Sequence, residues 1–326
     1  MRRFFALLLA AVLALSLLAG CTKSQEDAQQ QTGTSSDVSM AVVVAGTFGD
    51  RSFYDSSKEG ADRLAKDLGV QVKTIECNNV DHTQQIRNAA DAAEIVVLVG
   101  WEFYDVETVA PEYPDVHFIW VDNATSAPVA NVLNITYAQN EGSFLAGYIA
   151  AKMSQTGVVG AVGGEDTDTI NDFIVGYTQG AQYANSSIQV ETVYANTYDD
   201  PAVGKECALT LHEKKADVVF QIASKTGDGV FQAAQEKGFY AIGVDSDQKY
   251  IADDVIICSM MKQVGNSIYE AVSDYISGDT SKWGTTWVAD MATGFIGIGY
   301  GEAGATQQVP DSLKSEVEEL AKKIVS

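Results

Sequence analysis

The chain is 326 residues long and strongly acidic, with 44 aspartates and glutamates against 21 lysines and arginines and a formal net charge of −23. Such a surface repels phosphate backbones, which excludes nucleic acid as a partner, and it is pushed away from anionic lipid as well. Apart from Cys21, the cysteines are Cys77, Cys207 and Cys258, an odd and sparse set that makes a poor disulfide framework. Cys207 and Cys258 read as small buried apolar residues, with a single bridge among the three left open.

The amino terminus carries its own signal. Met1-Arg2-Arg3 precedes an almost unbroken apolar run from Phe4 to Ala19, which ends in Leu18-Ala19-Gly20-Cys21. A basic start, a short apolar core and small residues before a cut describe a secretory leader over residues 1–20. The run is too short to span a bilayer comfortably, which takes about 20 residues. The Leu-Ala-Gly-Cys order resembles the bacterial lipobox, which implies that Cys21 becomes the first mature residue and carries lipid. Two or more acyl chains would then hold the protein at the cell membrane, facing the extracytoplasmic side. Residues 21–38 contain too little apolar surface to offset their ordering entropy and read as a flexible tether.

Ser39 to Ser326 spans 288 residues, more than one core usually supports, so two lobes are expected. Met40 to Gly46 is a strand pattern and Phe53 to Leu68 a helix. Val70 to Ile75 is a strand, Thr83 to Ala93 a helix, and Glu94 to Val99 an apolar run typical of a strand buried on both faces. Glu102 to Pro111 reads as helix and Val116 to Val121 as another buried strand. The rhythm then restarts: helix Ser143 to Ser154, strand Val158 to Val162, helix Asp168 to Ala184, strand Ile188 to Val193. It continues with helix Asp200 to Lys214, strand Val218 to Ile222, helix Gly227 to Lys237 and strand Tyr240 to Val244. A short helix closes the chain over 309–326. Alternation of this kind calls for α/β architecture: two doubly wound, Rossmann-like lobes with parallel sheets. The first lobe is expected over 39–138 plus about 260–290, the second over 139–259 plus about 291–308. Hinge crossings are expected near 137–140, 258–261 and 288–292.

Ligands of such sheets bind beyond the carboxyl ends of the strands. Those ends here are rich in aromatic, glycine and acidic residues: Gly46–Phe53, Gly100-Trp101-Glu102-Phe103, Asp122-Asn123, Gly163–Asp166, Tyr194–Asn196, Ala223–Gly229 and Asp245–Gln248. Aromatic rings stack on a flat ligand face, and carboxylates accept hydrogen bonds from hydroxyls. A flat polar solute with a diol fits this composition, with Phe53 against the flat part and Asp245 on the diol. Plain structural roles compete: inward packing for Phe53, Trp101 and Phe103, and a turn cap for Asp245.

Five blocks carry a resemblance: Gly49-Asp50-Arg51-Ser52-Phe53, Gln139–Gly147, Ala195–Pro201, Thr226–Gln232 and Ile242–Gln248. In order and over nearly all of residues 40–300 they resemble the basic membrane protein (BMP, PnrA-like) family, substrate-binding lipoproteins of ABC importers whose characterised members bind purine nucleosides. The resemblance implies a type I periplasmic-binding-protein fold and a hinge-closed site between the lobes. It implies that Phe53 stacks on a base from one lobe and Phe173 from the other. Asp245 would hold ribose hydroxyls, with Lys262 directed at the sugar and Ser224 standing where the family has a glycine. The sequence departs from the family at Tyr54, where asparagine is usual, and in a shorter first loop with no acid before Asp50. The candidate ligand contacts are Asp50, Phe53, Tyr54, Trp101, Asp122, Phe173, Ser224, Asp245 and Lys262, with Cys21 as the lipidation site.

Other motifs carry less. Gly299–Gly304 fits G-x-G-x-x-G, but Thr-Gln-Gln-Val-Pro310 follows instead of a helix and strand. Lys225-Thr226-Gly227 and Ser259–Lys262 stand in the wrong order for penicillin-recognising enzymes. His82, His117 and His212 are scattered, and Glu165–Asp168 suits an acidic helix start better than a metal site. No cofactor or metal is expected. The reading is a monomeric, non-enzymatic solute-binding protein that captures a nucleoside and hands it to an ABC permease. Open alternatives are another diol-bearing solute, a sugar or signal molecule, and a nucleoside- or sugar-cleaving enzyme using Asp245 and Asp247.

Overall fold

The computed structural model describes residues 37–78 and 80–326; the leader, Cys21 and residues 22–36 of the tether lie outside them. The first sheet contains β1 (Ser39–Val44), β2 (Gln71–Glu76), β3 (Ile95–Val99), β4 (His117–Val121), β5 (Val132–Tyr137) and β11 (Thr286–Ala289). Its order is β11-β5-β4-β3-β1-β2, with every pairing parallel. The second contains β6 (Val158–Gly163), β7 (Gln189–Tyr194), β8 (Val218–Ile222), β9 (Tyr240–Asp245), β10 (Ile256–Lys262) and β12 (Ile296–Gly299). Its order is β12-β10-β9-β8-β6-β7, and only β12 runs antiparallel to its neighbour. Both sheets share the doubly wound order 2-1-3-4-5, extended by one late strand from the end of the chain.

The apolar runs explain the parallel sheets. All five residues of β3 and all five of β8 are buried, as strands covered on both faces must be. Helices α1 (Phe53–Leu68), α2 (His82–Ala90), α3 (Val106–Val109) and α8 (Val264–Ile276) belong with the first sheet. Helices α4 (Gln139–Met153), α5 (Asp168–Ala184), α6 (Pro201–Glu213), α7 (Gly227–Lys237) and α9 (Asp311–Ile324) belong with the second. Helix α1 stops at Gly69, whose φ of 72° is the left-handed backbone that glycine adopts without strain. Helix α4 meets α5 backbone to backbone, because an added Cβ at Gly147, Gly176 or Gly180 would collide with a carbonyl oxygen of the facing helix.

The chain passes between the sheets three times: from β5 to α4, from β10 to α8, and from β11 to β12. The crossings are bonded to one another, Ala138 N donating to Ala289 O at 3.0 Å and Gln263 N to Phe295 O at 2.9 Å. Strand β10 stays in the second sheet through Lys262, so this crossing falls later than the expected 258–261.

Local differences from the sequence pattern have local causes. The expected helix Glu102–Pro111 is two 3-10 turns, Trp101–Phe103 and Ala110–Glu112, flanking the single turn of α3. Pro111 lacks the N–H that would extend the ladder. Helix α4 begins at Gln139 rather than Ser143. Strand β5 was hidden by Asn134, a buried amide satisfied by Thr125 and by the backbone oxygen of Thr285. Helix α8 and strands β10, β11 and β12 had no counterpart in the sequence reading. The cysteines Cys77, Cys207 and Cys258 are buried free thiols.

Candidate functional site

The carboxyl ends of the two sheets face each other across a cleft with about 650 Å³ of free space, its mouth included. From the first lobe it is lined by Phe53, Tyr54, Gly100, Trp101, Glu102 and Asp122. From the second come Thr167, Thr169, Ile170, Phe173, Tyr198, Ile222, Ser224, Val244, Asp245 and Lys262. Of the sequence candidates, eight border this space. Asp50 borders an adjoining polar annex that also touches Tyr54, His82, Trp101, Glu102, Asn196, Tyr198 and Lys225.

The lobes are closed on one another. Ser52 Oγ donates to Asp245 Oδ2 at 2.5 Å, Ser224 Oγ to Asp50 Oδ2 at 2.9 Å, and Gln248 Nε2 to Arg51 O at 3.0 Å. Arg51 also pairs with Asp228, and Lys262 Nζ lies 2.6 Å from Asp122 Oδ1. Each of these bonds joins the first lobe to the second.

Asp50 is 2% exposed and largely engaged. Its carboxylate accepts from the backbone N–H groups of Ser52, Tyr54 and Asp55, which fastens the start of α1. Burial raises its proton affinity even against those bonds. Lys262, 1% exposed, holds its ammonium 5.2 Å from the ring centroids of both Phe53 and Phe173 and 4.8 Å from that of Tyr137. Two aromatic rings from opposite lobes therefore flank one cation. Trp101 stands at the rim, 42% exposed.

Several strand-end residues adopt left-handed backbone without being glycine: Arg51 (φ 55°), Asp122 (73°), Asn196 (56°), Ser224 (50°) and Asp245 (63°). Such residues carry strain and cluster where a site is held in shape. The turn they make aims Asp122, Ser224 and Asp245 into the cleft instead of along the strand.

The electrostatics are lopsided. Asp245 is pushed up to about 6, chiefly by burial, with Lys262 and Ser52 opposing and Asp50 and Asp122 adding. Burial also pushes Glu102 up to about 7, reinforced by Glu165 and Asp122. Lys262 is the one cation lining the inner cleft among the described residues. The site suits an uncharged solute rich in hydrogen-bond donors, and it opposes a phosphate. Glu102, Tyr198 and the Thr167–Ile170 start of α5 were not singled out as contacts from sequence. The available signal was an acid just beyond the wholly apolar β3.

Two doubly wound lobes shut over a slot at their strand ends define a two-lobed solute-binding protein of the periplasmic-binding-protein type. The pattern of the family described as "ABC transporter substrate-binding protein PnrA-like" matches residues 37–326, and the chain belongs to that family. It is similar to Basic membrane protein A2 of Borrelia garinii, 31% identical over 293 residues, covering 88% of this chain and 86% of that protein. Basic membrane protein A of Borreliella burgdorferi is 30% identical over 293 residues, with 88% and 85% covered. A solute-binding protein of an ABC transporter system from Aeropyrum pernix superimposes with a TM-score of 0.79 at 26% identity, covering 88% of this chain and 91% of that one. Its counterpart from Conexibacter woesei gives 0.71 at 25%, covering 88% and 96%. Substrate-binding proteins of this class bind small-molecule ligands and interact with membrane permeases. No helix among the described residues is long and apolar enough to cross a membrane.

Proposed function

We propose that the chain is a lipid-anchored receptor for a nucleoside, which it carries to an ABC permease without chemical change. The observation that carries this reading is the pair Phe53 and Phe173. Their rings approach from opposite lobes and stand at equal distances from Lys262, beside Asp245. A flat base enters between the rings as the lobes shut, displacing the ammonium toward the ribose. Asp245 then accepts from the hydroxyl pair, and Asp122 holds Lys262 in position through their ion pair. Tyr54, Trp101 and Ser224 complete the wall, and Asp50 holds Ser224 and the start of α1 in place.

The excess of carboxylates supports a nucleoside over a nucleotide, since a phosphate would be brought beside Asp245, Asp122 and Glu102. Opening the site requires the crossings between the sheets to twist and the bonds that join the lobes to part, the usual hinge device of two-lobed binders. The amino end of β1 lies on the far side of the first lobe from the cleft, because the carboxyl ends face the slot.

Calorimetry tests the reading with adenosine, guanosine, ribose, adenine, guanine and adenosine monophosphate. Nucleosides should bind with micromolar or tighter affinity, and the monophosphate at least about a hundredfold more weakly. Absence of binding by every nucleoside, or a monophosphate that matches its nucleoside, sinks it.

A further inference from the structure

Glu102 has no task in the protein itself. Its Oε2 is shut off from solvent and has no hydrogen-bond partner among the described residues. The carboxylate accepts from its own backbone N–H, and its neighbours are other acids and phenols: Glu165, Asp122, Tyr54 and Tyr198. A buried acceptor without a donor is costly, and the cost is removed when a ligand brings the donor.

Its position is built. Glu102 follows β3, which lies next to β1 at the point where the strand order of the first sheet reverses. Gly100, at φ 126°, makes the turn, and an added Cβ there would run into Glu102 Oε2. Asp245, Lys262, Phe53 and Phe173 border only the inner cleft, whereas Glu102 borders both the cleft and the annex. A solute gripped by the first four residues turns its remaining edge toward Glu102.

We infer that Glu102 is the residue that reads the edge of the base, and that it selects a base presenting adjacent N–H donors. This rests on the nucleoside reading above and deepens it. The two oxygens of a carboxylate match the N1–H and exocyclic N2–H of guanine, in one plane and side by side. Hypoxanthine offers the N1–H alone. Adenine offers an acceptor at N1, which faces the carboxylate lone pairs and is repelled. The order of affinity is guanosine, then inosine, then adenosine.

The experiment is a calorimetric panel of guanosine, inosine, adenosine and 1-methylguanosine on the full-length protein and on Glu102→Gln, at about pH 8 so that the carboxylate is charged. Wild type should bind guanosine at least about tenfold tighter than adenosine, and methylation at N1 should remove about tenfold or more. Glutamine keeps one acceptor and gains a donor, which suits adenine. Glu102→Gln should therefore lower the guanosine-to-adenosine ratio by about tenfold or more while retaining preference for ribosides over free bases. An unchanged ratio in Glu102→Gln, or 1-methylguanosine bound as well as guanosine by wild type, overturns the assignment and leaves the nucleoside reading intact. No binding of any nucleoside by wild type overturns both. The methylated ligand needs no variant, so the assignment can fail even if Glu102→Gln does not fold.

Discussion

Ser52 Oγ donates to Asp245 Oδ2 at 2.5 Å, one hydroxyl from the start of α1 in the first lobe reaching a carboxylate at the end of β9 in the second. The bond joins the lobes through the same carboxylate that is proposed to hold the ribose. Closure and ligand capture therefore use one group, and a hydroxyl of the solute competes with Ser52 for it.

The buried state of Asp245 makes stability depend on pH. Its affinity for a proton rises from the ordinary 3.8 to about 6 in the folded protein, so the folded state holds the proton more tightly than the unfolded chain. The stabilisation is complete below about pH 4 and is lost as pH rises through about 6; two units correspond to about 3 kcal/mol. Asp245→Asn should melt a few degrees above wild type at neutral pH in the absence of ligand, and the gain should shrink toward pH 4. Parallel melting curves across that window would show that the carboxylate is not desolvated. The same variant should lose discrimination between ribosides and free bases.

Removing one wall of the aromatic slot should weaken binding without unfolding the lobe. Phe53 is partly buried against the core and contributes mainly to the cleft. Phe53→Ala should raise Kd at least about tenfold, equivalent to about 1.4 kcal/mol. A Kd that calorimetry finds unchanged takes Phe53 out of the site.

The contact between α4 and α5 leaves no room for a methyl group. A Cβ at Gly180 would meet the Phe144 carbonyl oxygen, and backbone rather than a flexible side chain would have to move. Gly180→Ala should cost about 1–3 kcal/mol in denaturant unfolding of the ligand-free protein. A cost near zero would mean that the two helices separate easily.

The lipid claim has a test independent of the cleft. Cys21→Ser should shift the protein from the membrane fraction to the soluble fraction, with nucleoside affinity unchanged, because no residue lining the cleft is altered. Retention at the membrane would rule out acylation at Cys21 as the anchor.

Much of the architecture was legible because it rests on short-range periodicity. Runs such as Ile95–Val99 are uniformly apolar because both faces of a parallel strand are covered, and that shows in five residues. Helix α5, Asp168–Ala184, agrees at both ends with the sequence reading, since a Thr167 cap and helically spaced apolar residues mark it locally. Strand β11 was invisible: Thr286–Ala289 is short and half exposed, and it exists because β5 offers an unpaired edge. Helix α8 was missed although its pattern is amphipathic, and its place against α1 depends on the chain crossing back after Lys262.

The site divides in the same way. The aromatic and acidic character of the strand ends is a property of residue type and could be read in order along the chain. Residue order alone called for two α/β halves with a ligand beyond their strand ends, and a net charge of −23 alone argued against nucleic acid as a partner. Which of those groups are already engaged follows from the folded arrangement. Asp50 is taken up by α1 and Ser224, Asp122 by Lys262, and Glu102 by nothing but its own backbone. Partnership between buried charges depends on distances across the closed cleft, set by residues more than a hundred positions apart, and no local pattern records it.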